Sequence, residues 1–357
     1  MFDTPVVILA AGGATRMEPL SSFVTKPMVP IGPIPLIGRI IGEFFQTGFR
    51  NFVVVYGKAE DQIVPYIKQL EAETKCHFDL VKQPKPMGMA DAILLTRSMV
   101  YSSKYSADTP FFVTAGDVLF PADSLKAMMQ IHDNSKARMT LALAQSLDPR
   151  MAKSYGNVAC ENGQVLKIVE KPGPDQRVGD YYSMPIYLFT MHIFDWLDKV
   201  EISKRGEKEL QDAIQMEINA GDYIAGIDLL PIPITPPEDG KYHVTYPRDF
   251  LSMNFLYLND GSLQLYCSEN CGIIVDPVAG SPKVIEEGAV IGPNVFLGEN
   301  VLVRKDSRIK ETYIFPRANI GENSILERCI VGESVIIPPN SQYAAKLILA
   351  SGIYDLV

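Results

Sequence analysis

The sequence predicts an α/β fold with a mostly parallel sheet and flanking helices, followed by a parallel β-helix. In the first two-thirds of the chain, short apolar runs rich in β-branched and aromatic residues alternate with amphipathic stretches of helical period, which is typical of βαβ units. After about residue 275, aliphatic residues instead recur at every sixth position. That period is typical of a hexapeptide-repeat β-helix, in which each hexad forms one flat side of a coil.

Four apolar runs are predicted as strands of the parallel sheet, and two amphipathic stretches as its helices. The strands are Val6–Ala11, Phe52–Tyr56, Phe78–Val81 and Phe111–Thr114, and the helices are Leu36–Thr47 and Glu60–Glu73. Ligands of such sheets bind beyond the carboxyl ends of the strands. The residues that follow each apolar run are therefore the candidates for a functional site.

The change of pattern divides the chain. We expect a first domain at residues 1–248, a connector at 249–275, a β-helix at 276–343 and a tail at 344–357. The hexad positions are Ile285, Ile291, Leu297, Val303, Ile309, Ile314, Ile320, Val331 and Ile337, with slips of one residue before Ile314 and before Val331. Flat apolar coil sides with open ends favour a homo-oligomer, with a dimer as the default.

Charge and composition exclude several classes of protein. The 357 residues carry a net charge of −9, which argues against nucleic acid or an anionic membrane as a partner, because both require a basic face. No run approaches the roughly 18 apolar residues of a membrane helix. The first apolar run is short and has no basic flank, so it predicts a buried strand and not a signal peptide, and we expect a cytoplasmic protein. Four His and five Cys are too scattered for a zinc site.

A glycine-containing string follows the first predicted strand. It reads Leu9-Ala10-Ala11-Gly12-Gly13-Ala14-Thr15-Arg16, and Lys26-Pro27 comes further on. Small residues after a buried strand let backbone N–H groups approach phosphate oxygens, and a following helix N-terminus adds partial positive charge. Arg16 and Lys26 would neutralise a triphosphate. The string predicts a polyphosphate-binding loop made by Leu9, Ala11, Gly12, Gly13, Ala14, Thr15 and Arg16.

Four further motifs lie at or near strand ends. They are Gln83-Pro84-Lys85-Pro86-Met87-Gly88, Ala115-Gly116-Asp117, Tyr155-Gly156-Asn157 and Glu170-Lys171-Pro172. Together with the first loop they resemble the motifs of the sugar-phosphate nucleotidyltransferases (nucleoside-diphosphate-sugar pyrophosphorylases), and the resemblance covers most of the chain. It implies a Rossmann-like catalytic domain and, as in several branches of that family, a C-terminal left-handed β-helix.

The resemblance implies a role for each motif. Gln83 and Gly88 correspond to the segment that reads the base, and a Gln side chain offers both a donor and an acceptor to a base edge. Asp117 corresponds to a ligand of Mg²⁺, which prefers hard oxygen atoms. The residues implied to contact the sugar phosphate are Gly156, Glu170 and Lys171.

Three positions depart from the family pattern. Ala14 replaces a signature glycine, and Pro185 stands where many members have a glycine facing the sugar. His243 stands where many members have an Asp that is the second metal ligand. Imidazole is a softer ligand that suits Mg²⁺ poorly, so His243 is either a metal ligand, a substrate contact or a structural residue.

The expected reaction is an in-line attack of a sugar 1-phosphate oxygen on the α-phosphorus of a nucleoside triphosphate, with release of pyrophosphate. The resemblance implies dTTP or UTP with glucose 1-phosphate as substrates, Mg²⁺ as cofactor, and Arg16, Lys26, Asp117 and Lys171 as catalytic residues. Catalysis would rest on positioning and charge neutralisation.

Two alternatives stand beside this enzyme. The three departures favour a non-catalytic regulatory or scaffold subunit with the same fold, whereas the retained charged residues argue against it. A β-helix acyltransferase usually needs a histidine in its coils, and no His follows His243.

Overall fold

The computed structural model describes residues 4–101, 105–145, 155–229, 244–259, 273–275 and 284–356. The chain forms two compact units. The α/β unit comprises Met1–Gly13 and Ile37–Thr235, and the coil unit comprises Ala14–Leu36 and Pro236–Val357. Each is described separately below. Among the described residues, no helix has both the length and the hydropathy that crossing a bilayer requires.

Among the described residues, eleven strands and eight α-helices lie before residue 260. The strands are β1 (Val6–Ala10), β2 (Pro30–Ile31), β3 (Ile34–Pro35), β4 (Asn51–Tyr56), β5 (His77–Lys82), β6 (Pro110–Ala115), β7 (Met139–Gln145), β8 (Gly156–Glu161), β9 (Gln164–Val169), β10 (Tyr181–Thr190) and β11 (Ile224–Asp228). The helices are α1 (Leu36–Gln46), α2 (Glu60–Glu73), α3 (Met89–Leu94), α4 (Arg97–Val100), α5 (Ala122–Ser135), α6 (Ile193–Leu197), α7 (Leu210–Asn219) and α8 (Pro247–Asn259). The four predicted strands and two predicted helices are confirmed, with no end displaced by more than one residue.

The sheet of the α/β unit has nine strands in the order β5-β4-β1-β6-β10-β7-β11-β9-β8. Strands β5, β4, β1 and β6 are parallel, so their carboxyl ends share one edge. The prediction of a mostly parallel sheet is correct for these four strands and for the pair β7 and β11, whereas β10 runs antiparallel to both β6 and β7, and β9 runs antiparallel to β11 and β8. Apolar runs indicate strands, but they do not encode strand direction.

Helices pack on both faces of this sheet. Val7, Val53 and Val113 belong to a buried cluster that includes side chains of α3, α6 and α7. Phe112, the neighbour of Val113, instead contacts Phe44 of α1, with ring centroids 5.2 Å apart. Successive strand residues point to opposite faces, so this alternation shows a layered α/β core.

The remaining strands belong to the coil unit. They are β12 (Ile273–Val275), β13 (Val284–Ile285), β14 (Val290–Ile291), β15 (Val295–Leu297), β16 (Leu302–Val303), β17 (Arg308–Lys310), β18 (Thr312–Ile314), β19 (Asn319–Ile320), β20 (Ile325–Glu327), β21 (Ile330–Val331), β22 (Ile336–Ile337), β23 (Gln342–Ala344), β24 (Lys346–Leu349) and β25 (Gly352–Asp355). They form three sheets, parallel apart from β25 and consistent with a β-helix. Ladder partners in successive coils are 18 or 17 residues apart, as in Val284 with Leu302 and Leu302 with Asn319.

Left-handed backbone residues mark the corners of the coils. From Asn294 to Ala345 they recur at intervals of five or six residues: Asn294, Asn300, Asp306, Glu311, Arg317, Asn323, Arg328, Ser334, Asn340 and Ala345. The five-residue interval from Asp306 to Glu311 coincides with the slip in the aliphatic pattern before Ile314. All the predicted hexad positions are buried except Ile285, which is 40% exposed.

The segment expected as a C-terminal tail contains two strands. β24 continues a ladder, because Ile330 of β21 pairs with Leu347. β25 then turns back antiparallel onto β24, and Lys346 pairs with Asp355 across this hairpin. The hairpin covers the outer edge of β24, whereas β22 and β23 are the last described strands of the other two sheets.

Glu217 of α7 provides a test of the α/β core. It is buried, and burial, with Asp222 beside it, raises its pKa to about 7. The folded chain therefore holds this proton more tightly than the unfolded chain. Protonated Glu217 therefore contributes stability to the folded state. This contribution is fully present below the ordinary glutamate pKa and is lost as pH rises through about 7.

We expect Glu217→Gln to have a higher Tm than the parent, by a margin that widens from about pH 5 to about pH 8, because the amide cannot ionise. Differential scanning fluorimetry measures this, with Glu161→Gln at an exposed position as the control. A margin that stays constant with pH would contradict the assignment.

Candidate active site

Glycines pack the carboxyl end of β1 tightly against its neighbours. The N–H of Gly116 donates to the carbonyl of Leu9 at 2.8 Å. A Cβ on Gly116 would lie 3.2 Å from Ala10 Cα, and one on Gly57 would lie 3.0 Å from Ala11 O. The segments after β4 and β6 therefore flank the end of β1, where the predicted loop begins.

The predicted polyphosphate loop is divided between the two units. Leu9, Ala11, Gly12 and Gly13 belong to the α/β unit, and Ala14, Thr15, Arg16 and Lys26 belong to the coil unit. Gly12 and Gly13 are exposed, and apart from the adjoining residues no described atom lies within 4 Å of an added Cβ at either position. The convergence of Arg16 and Lys26 with Asp117 and Lys171 stays a prediction.

Ala14 occupies a backbone conformation that favours glycine. Its φ and ψ are 47° and 28°, in the left-handed region, immediately before a short 3₁₀ helix over Thr15–Met17. A Cβ makes that conformation unfavourable by about 1 kcal/mol. The backbone at position 14 therefore favours glycine, which is the residue that the family has there.

Asn254 of α8 holds the segment that follows Lys26 within the coil unit. Its Oδ1 accepts from Gly32 N–H at 2.7 Å, and its Nδ2 donates to Pro30 O at 3.1 Å. The hydroxyl of Tyr313 donates to the other side of Gly32, at the carbonyl oxygen, over 3.3 Å. These contacts fix the β2–β3 hairpin a few residues beyond Lys26.

Gln83 lies directly after β5, and its backbone N–H donates to Tyr56 O at 2.8 Å. The side chain is nearly buried. Its Nε2 donates to Asp91 Oδ2 at 2.9 Å and to Gly88 O at 3.3 Å. We expected Gln83 to offer both a donor and an acceptor to a base, but the structure shows that its donor is engaged within the protein.

Gly88 has no room for a side chain. Its φ is +100°, and a Cβ would lie 2.4 Å from Lys208 O. Glycine is therefore required for packing at this position, whatever ligand binds nearby.

Strand β10 places Asp117 and Gly156 toward the same end of the sheet. Thr114, near the end of β6, pairs with Ile186, and Gly156 pairs with Ser183 only three residues away along β10. Asp117 follows β6 and is half-buried. The end of β6, which precedes Asp117, and the start of β8 at Gly156 therefore pair with nearby residues of β10.

Pro185 coincides with an irregularity of β10. The register of β10 on β7 shifts between Ser183 and Tyr187. Proline has no N–H to donate, so it fits where a ladder is interrupted.

Glu170 and Lys171 lie beside Gly156 because β8 and β9 pair there. An added Cβ on Gly156 would lie 3.3 Å from Glu170 Oε2. Glu170 Oε1 lies 3.4 Å from both Lys171 Nζ and Arg205 Nη2, and Arg205 also pairs with Glu209 at 2.6 Å. Two cations thus flank one carboxylate oxygen.

The other oxygen of Glu170 has no partner among the described residues. The side chain is 13% exposed, and Oε2 is buried. Burial raises the pKa of Glu170, although Lys171 and Arg205 act in the opposite direction. A buried acceptor that lacks a donor is costly, so this oxygen is suited to accept from a ligand.

These side chains line an open cavity of about 890 Å³. Its wall contains four cations, Lys167, Lys171, Lys204 and Arg205, together with the carboxylates of Glu170, Glu209 and Asp212. Cations favour a phosphate, and carboxylates accept hydrogen bonds from hydroxyls. The cavity therefore suits a small phosphorylated polyol.

Arg205 was missed by the sequence analysis. The charged run Lys204-Arg205-Gly206-Glu207-Lys208-Glu209 before α7 was the available signal. A charged run before a helix is usually solvated, and only its pairing with Glu170, 35 residues earlier, indicates a site.

The described residues contain no group of three or more His, Cys, Asp or Glu side chains that could by itself hold a metal ion. His243 lies outside them. Asp117 supplies one hard oxygen ligand, immediately after β6. This fits Mg²⁺, which is commonly bound by one or two carboxylates together with substrate phosphates.

Comparison with known proteins identifies the family. The family model described as nucleotidyl transferase matches residues 5–228, and the model of the GMPPB C-terminal domain matches residues 273–353. The chain belongs to the nucleotidyl transferase family. Its resemblance to the sugar-phosphate nucleotidyltransferases is thereby confirmed.

Curated relatives of this nucleotidyl transferase align over nearly its whole length. Bifunctional protein GlmU of Methanococcus maripaludis is 27% identical over 98% of this chain and 81% of its own. Mannose-1-phosphate guanylyltransferase 1 of Arabidopsis thaliana is 25% identical over 91% of this chain and 85% of its own. Glucose-1-phosphate thymidylyltransferase of Streptomyces griseus is 25% identical over 97% and 90%.

A solved structure supports the fold. The crystal structure of UDP-glucose pyrophosphorylase complexed with UDP-glucose matches 63% of this nucleotidyl transferase and 90% of its own chain, with a TM-score of 0.53 and 21% identity.

Ala14→Gly tests the strain in the signature loop. We expect a modest increase in the free energy of unfolding, up to about 1 kcal/mol, because glycine adopts the left-handed region without a steric penalty. Urea denaturation measures it. Ala220→Gly is the control, because Ala220 caps α7 with a right-handed backbone and should be neutral or destabilising. A loss of stability in Ala14→Gly would contradict the strain.

Proposed function

We propose that this nucleotidyl transferase condenses a nucleoside triphosphate with a hexose 1-phosphate, glucose 1-phosphate being the default, and releases pyrophosphate. Glu170 carries the proposal. Its buried Oε2 has no partner among the described residues, and Lys171 and Arg205 flank its other oxygen. A hexose 1-phosphate supplies what this arrangement lacks, namely a hydroxyl donor and a phosphate anion.

The sugar hydroxyl donates to Glu170 Oε2 in the proposed complex. Lys171 and Arg205 then pair with the phosphate, which brings anionic charge to the cations that Glu170 only partly neutralises. The φ of Lys171 is +40°, and Pro172 follows it. Strained backbone of this kind is concentrated at functional sites, where it fixes a side chain for binding.

The chemical step needs no activated side-chain nucleophile. A phosphate oxygen is anionic near neutral pH, and the cations position it for in-line attack at the α-phosphorus. Arg16 and Lys26 are proposed to neutralise the triphosphate. Asp117 would hold Mg²⁺ with phosphate oxygens, and the ion would supply charge neutralisation there.

We also propose a fold type for the coil unit, an oligomeric state and a cellular location. We propose a hexapeptide-repeat left-handed β-helix, supported by the ladder spacings and the match to the GMPPB C-terminal domain. A homodimer through the coils, with no nucleic acid or membrane partner, and a cytoplasmic location are likewise proposed.

A non-catalytic regulatory or scaffold subunit is the second candidate. Ala14, Pro185 and His243 favour it, because all three depart from the family pattern. A pyrophosphate-release assay separates the two, since such a subunit releases none with any substrate pair.

Lys171→Ala is expected to lower kcat/KM for pyrophosphate release by roughly 10²- to 10³-fold, because the transition state loses a positioned cation. The assay uses UTP, dTTP or GTP with glucose or mannose 1-phosphate and Mg²⁺. Lys126→Ala, on the exposed face of α5, is the matched control and should retain parent activity. Parent-like turnover in Lys171→Ala would remove this residue from the site.

Binding of the hexose 1-phosphate should depend on pH through Glu170. Burial raises its pKa, and a hydroxyl donor favours the ionised form, so affinity weakens as pH falls through that raised pKa. Calorimetry at several pH values measures the affinity. In Glu170→Gln this part of the pH dependence should disappear, and an unchanged profile would contradict the assignment.

A further inference from the structure

We propose that the coil unit positions Lys26 for the nucleoside triphosphate, and that Asn254 and Tyr313 are the residues that do so. The inference rests on the proposed function, in which Lys26 neutralises the triphosphate. It goes beyond that function because it gives α8 and the coils, which lie far from Lys26 in sequence, a part in substrate binding.

Lys26 begins a short segment whose backbone is constrained. It is the first residue of a three-residue 3₁₀ helix, and Pro27, whose ring restricts its own φ, is the second. Met28 N–H donates to Thr25 O at 2.8 Å, and Val29 N–H donates to Lys26 O at 3.2 Å. Because this turn is closed by hydrogen bonds, a shift of the residues that follow it moves the backbone of Lys26 with them.

Asn254 of α8 holds the β2–β3 hairpin that follows this turn. Its side chain is buried, with Oδ1 accepting from Gly32 N–H at 2.7 Å and Nδ2 donating to Pro30 O at 3.1 Å. Nδ2 also donates to Phe250 O, one turn earlier in α8, at 3.0 Å. Both donor hydrogens and the acceptor oxygen of the carboxamide are therefore engaged, which holds it in one orientation.

Tyr313 of β18 holds the same hairpin from the coils. Its hydroxyl donates to Gly32 O at 3.3 Å. Its buried ring stacks on Phe296 of β15 with centroids 4.4 Å apart, and the ring of Phe250 meets it edge-on at 4.8 Å. Neighbouring rings therefore fix the point from which the hydroxyl donates.

A second anchor lies on the other side of Lys26. Phe23, three residues before Lys26, packs edge-on against Phe315 with ring centroids 5.4 Å apart. Phe315 directly follows β18, and its ring contacts that of Tyr313 at 4.9 Å. The segment that carries Lys26 is thus attached to the coils at both of its ends.

A cation forms strong hydrogen bonds with a phosphate only at the correct distance and angle. Loss of the Asn254 side chain would leave the buried Gly32 N–H without its acceptor and would release the hairpin. Lys26 would then keep its charge and lose its position. Binding of the hexose 1-phosphate should not change, because its proposed cavity lies in the α/β unit.

Isothermal titration calorimetry of the full chain in Mg²⁺ measures this effect, and the probe is whichever of UTP, dTTP and GTP the parent binds most tightly. For Asn254→Ala, we expect the Kd of the triphosphate to rise about tenfold. Tyr313→Phe retains the stacked ring and loses only the hydroxyl, so the Kd should rise about threefold. The Kd of glucose 1-phosphate should stay at the parent value in both variants.

A double-mutant cycle with Lys26→Ala separates positioning from a structural role. If Asn254 acts through Lys26, adding Asn254→Ala to Lys26→Ala should raise the Kd by less than about twofold, because the positioned group is already absent. A purely structural role would weaken binding equally in both backgrounds. If Asn254→Ala fails to fold, Tyr313→Phe provides the same cycle.

Tyr343→Phe is the matched control, because it removes the same hydroxyl from β23. Tyr343 belongs to another sheet of the coils and packs against the coil interior. This variant should retain the parent Kd for the triphosphate.

The outcomes are distinct. If Lys26→Ala weakens the triphosphate while Asn254→Ala and Tyr313→Phe do not, or if their effects add to that of Lys26→Ala, the positioning role is overturned and the proposed function is intact. If Lys26→Ala binds the triphosphate as the parent does, the inference fails together with the proposed role of Lys26. A parent that binds none of the three triphosphates overturns the inference and the proposed function.

Discussion

The parallel pairing of β1 with β4 and β6 is the constraint on which the α/β unit depends. It brings the ends of three strands to one edge, and glycines stand where the flanking segments meet β1, since an added Cβ would lie only 3.0 Å from Ala11 O at Gly57 and 3.2 Å from Ala10 Cα at Gly116. Asp117 follows one of these glycines directly. A larger residue at either position would push on the backbone of β1, and would therefore displace the start of the polyphosphate loop and Asp117 together.

The buried carboxylate of Glu170, directly after β9, determines which ligands the adjoining cavity can bind. Glu170 is held between Lys171 and Arg205 at one oxygen and lacks a described partner at the other. Buried carboxylates are costly unless they are fully hydrogen-bonded, so the folded chain carries a deficit that a ligand can remove. The proposed substrate supplies a donor to this oxygen.

The local sequence pattern was sufficient to predict much of this fold. The features that it did not predict depend on contacts between residues distant in sequence. Apolar runs located β1, β4, β5 and β6 to within one residue, because buried parallel strands are continuous and β-branched. They could not give the antiparallel direction of β10. Arg205 pairs with Glu170, 35 residues earlier in the chain, and Gln83 Nε2 donates to Asp91 of α3. Neither contact follows from the local sequence pattern. Ala14 was recognised as a departure, but its left-handed backbone emerges only from the structure.

In the proposed function, the cavity at Glu170 binds the sugar phosphate of a nucleotidyl transfer reaction. The most direct test is a crystal structure of the parent chain with the nucleotide sugar formed from its most active substrate pair. We expect a sugar hydroxyl within hydrogen-bond distance of Glu170 Oε2, and the adjoining phosphate against Lys171 and Arg205. A nucleotide sugar bound elsewhere, with Glu170 Oε2 still without a partner, would contradict it.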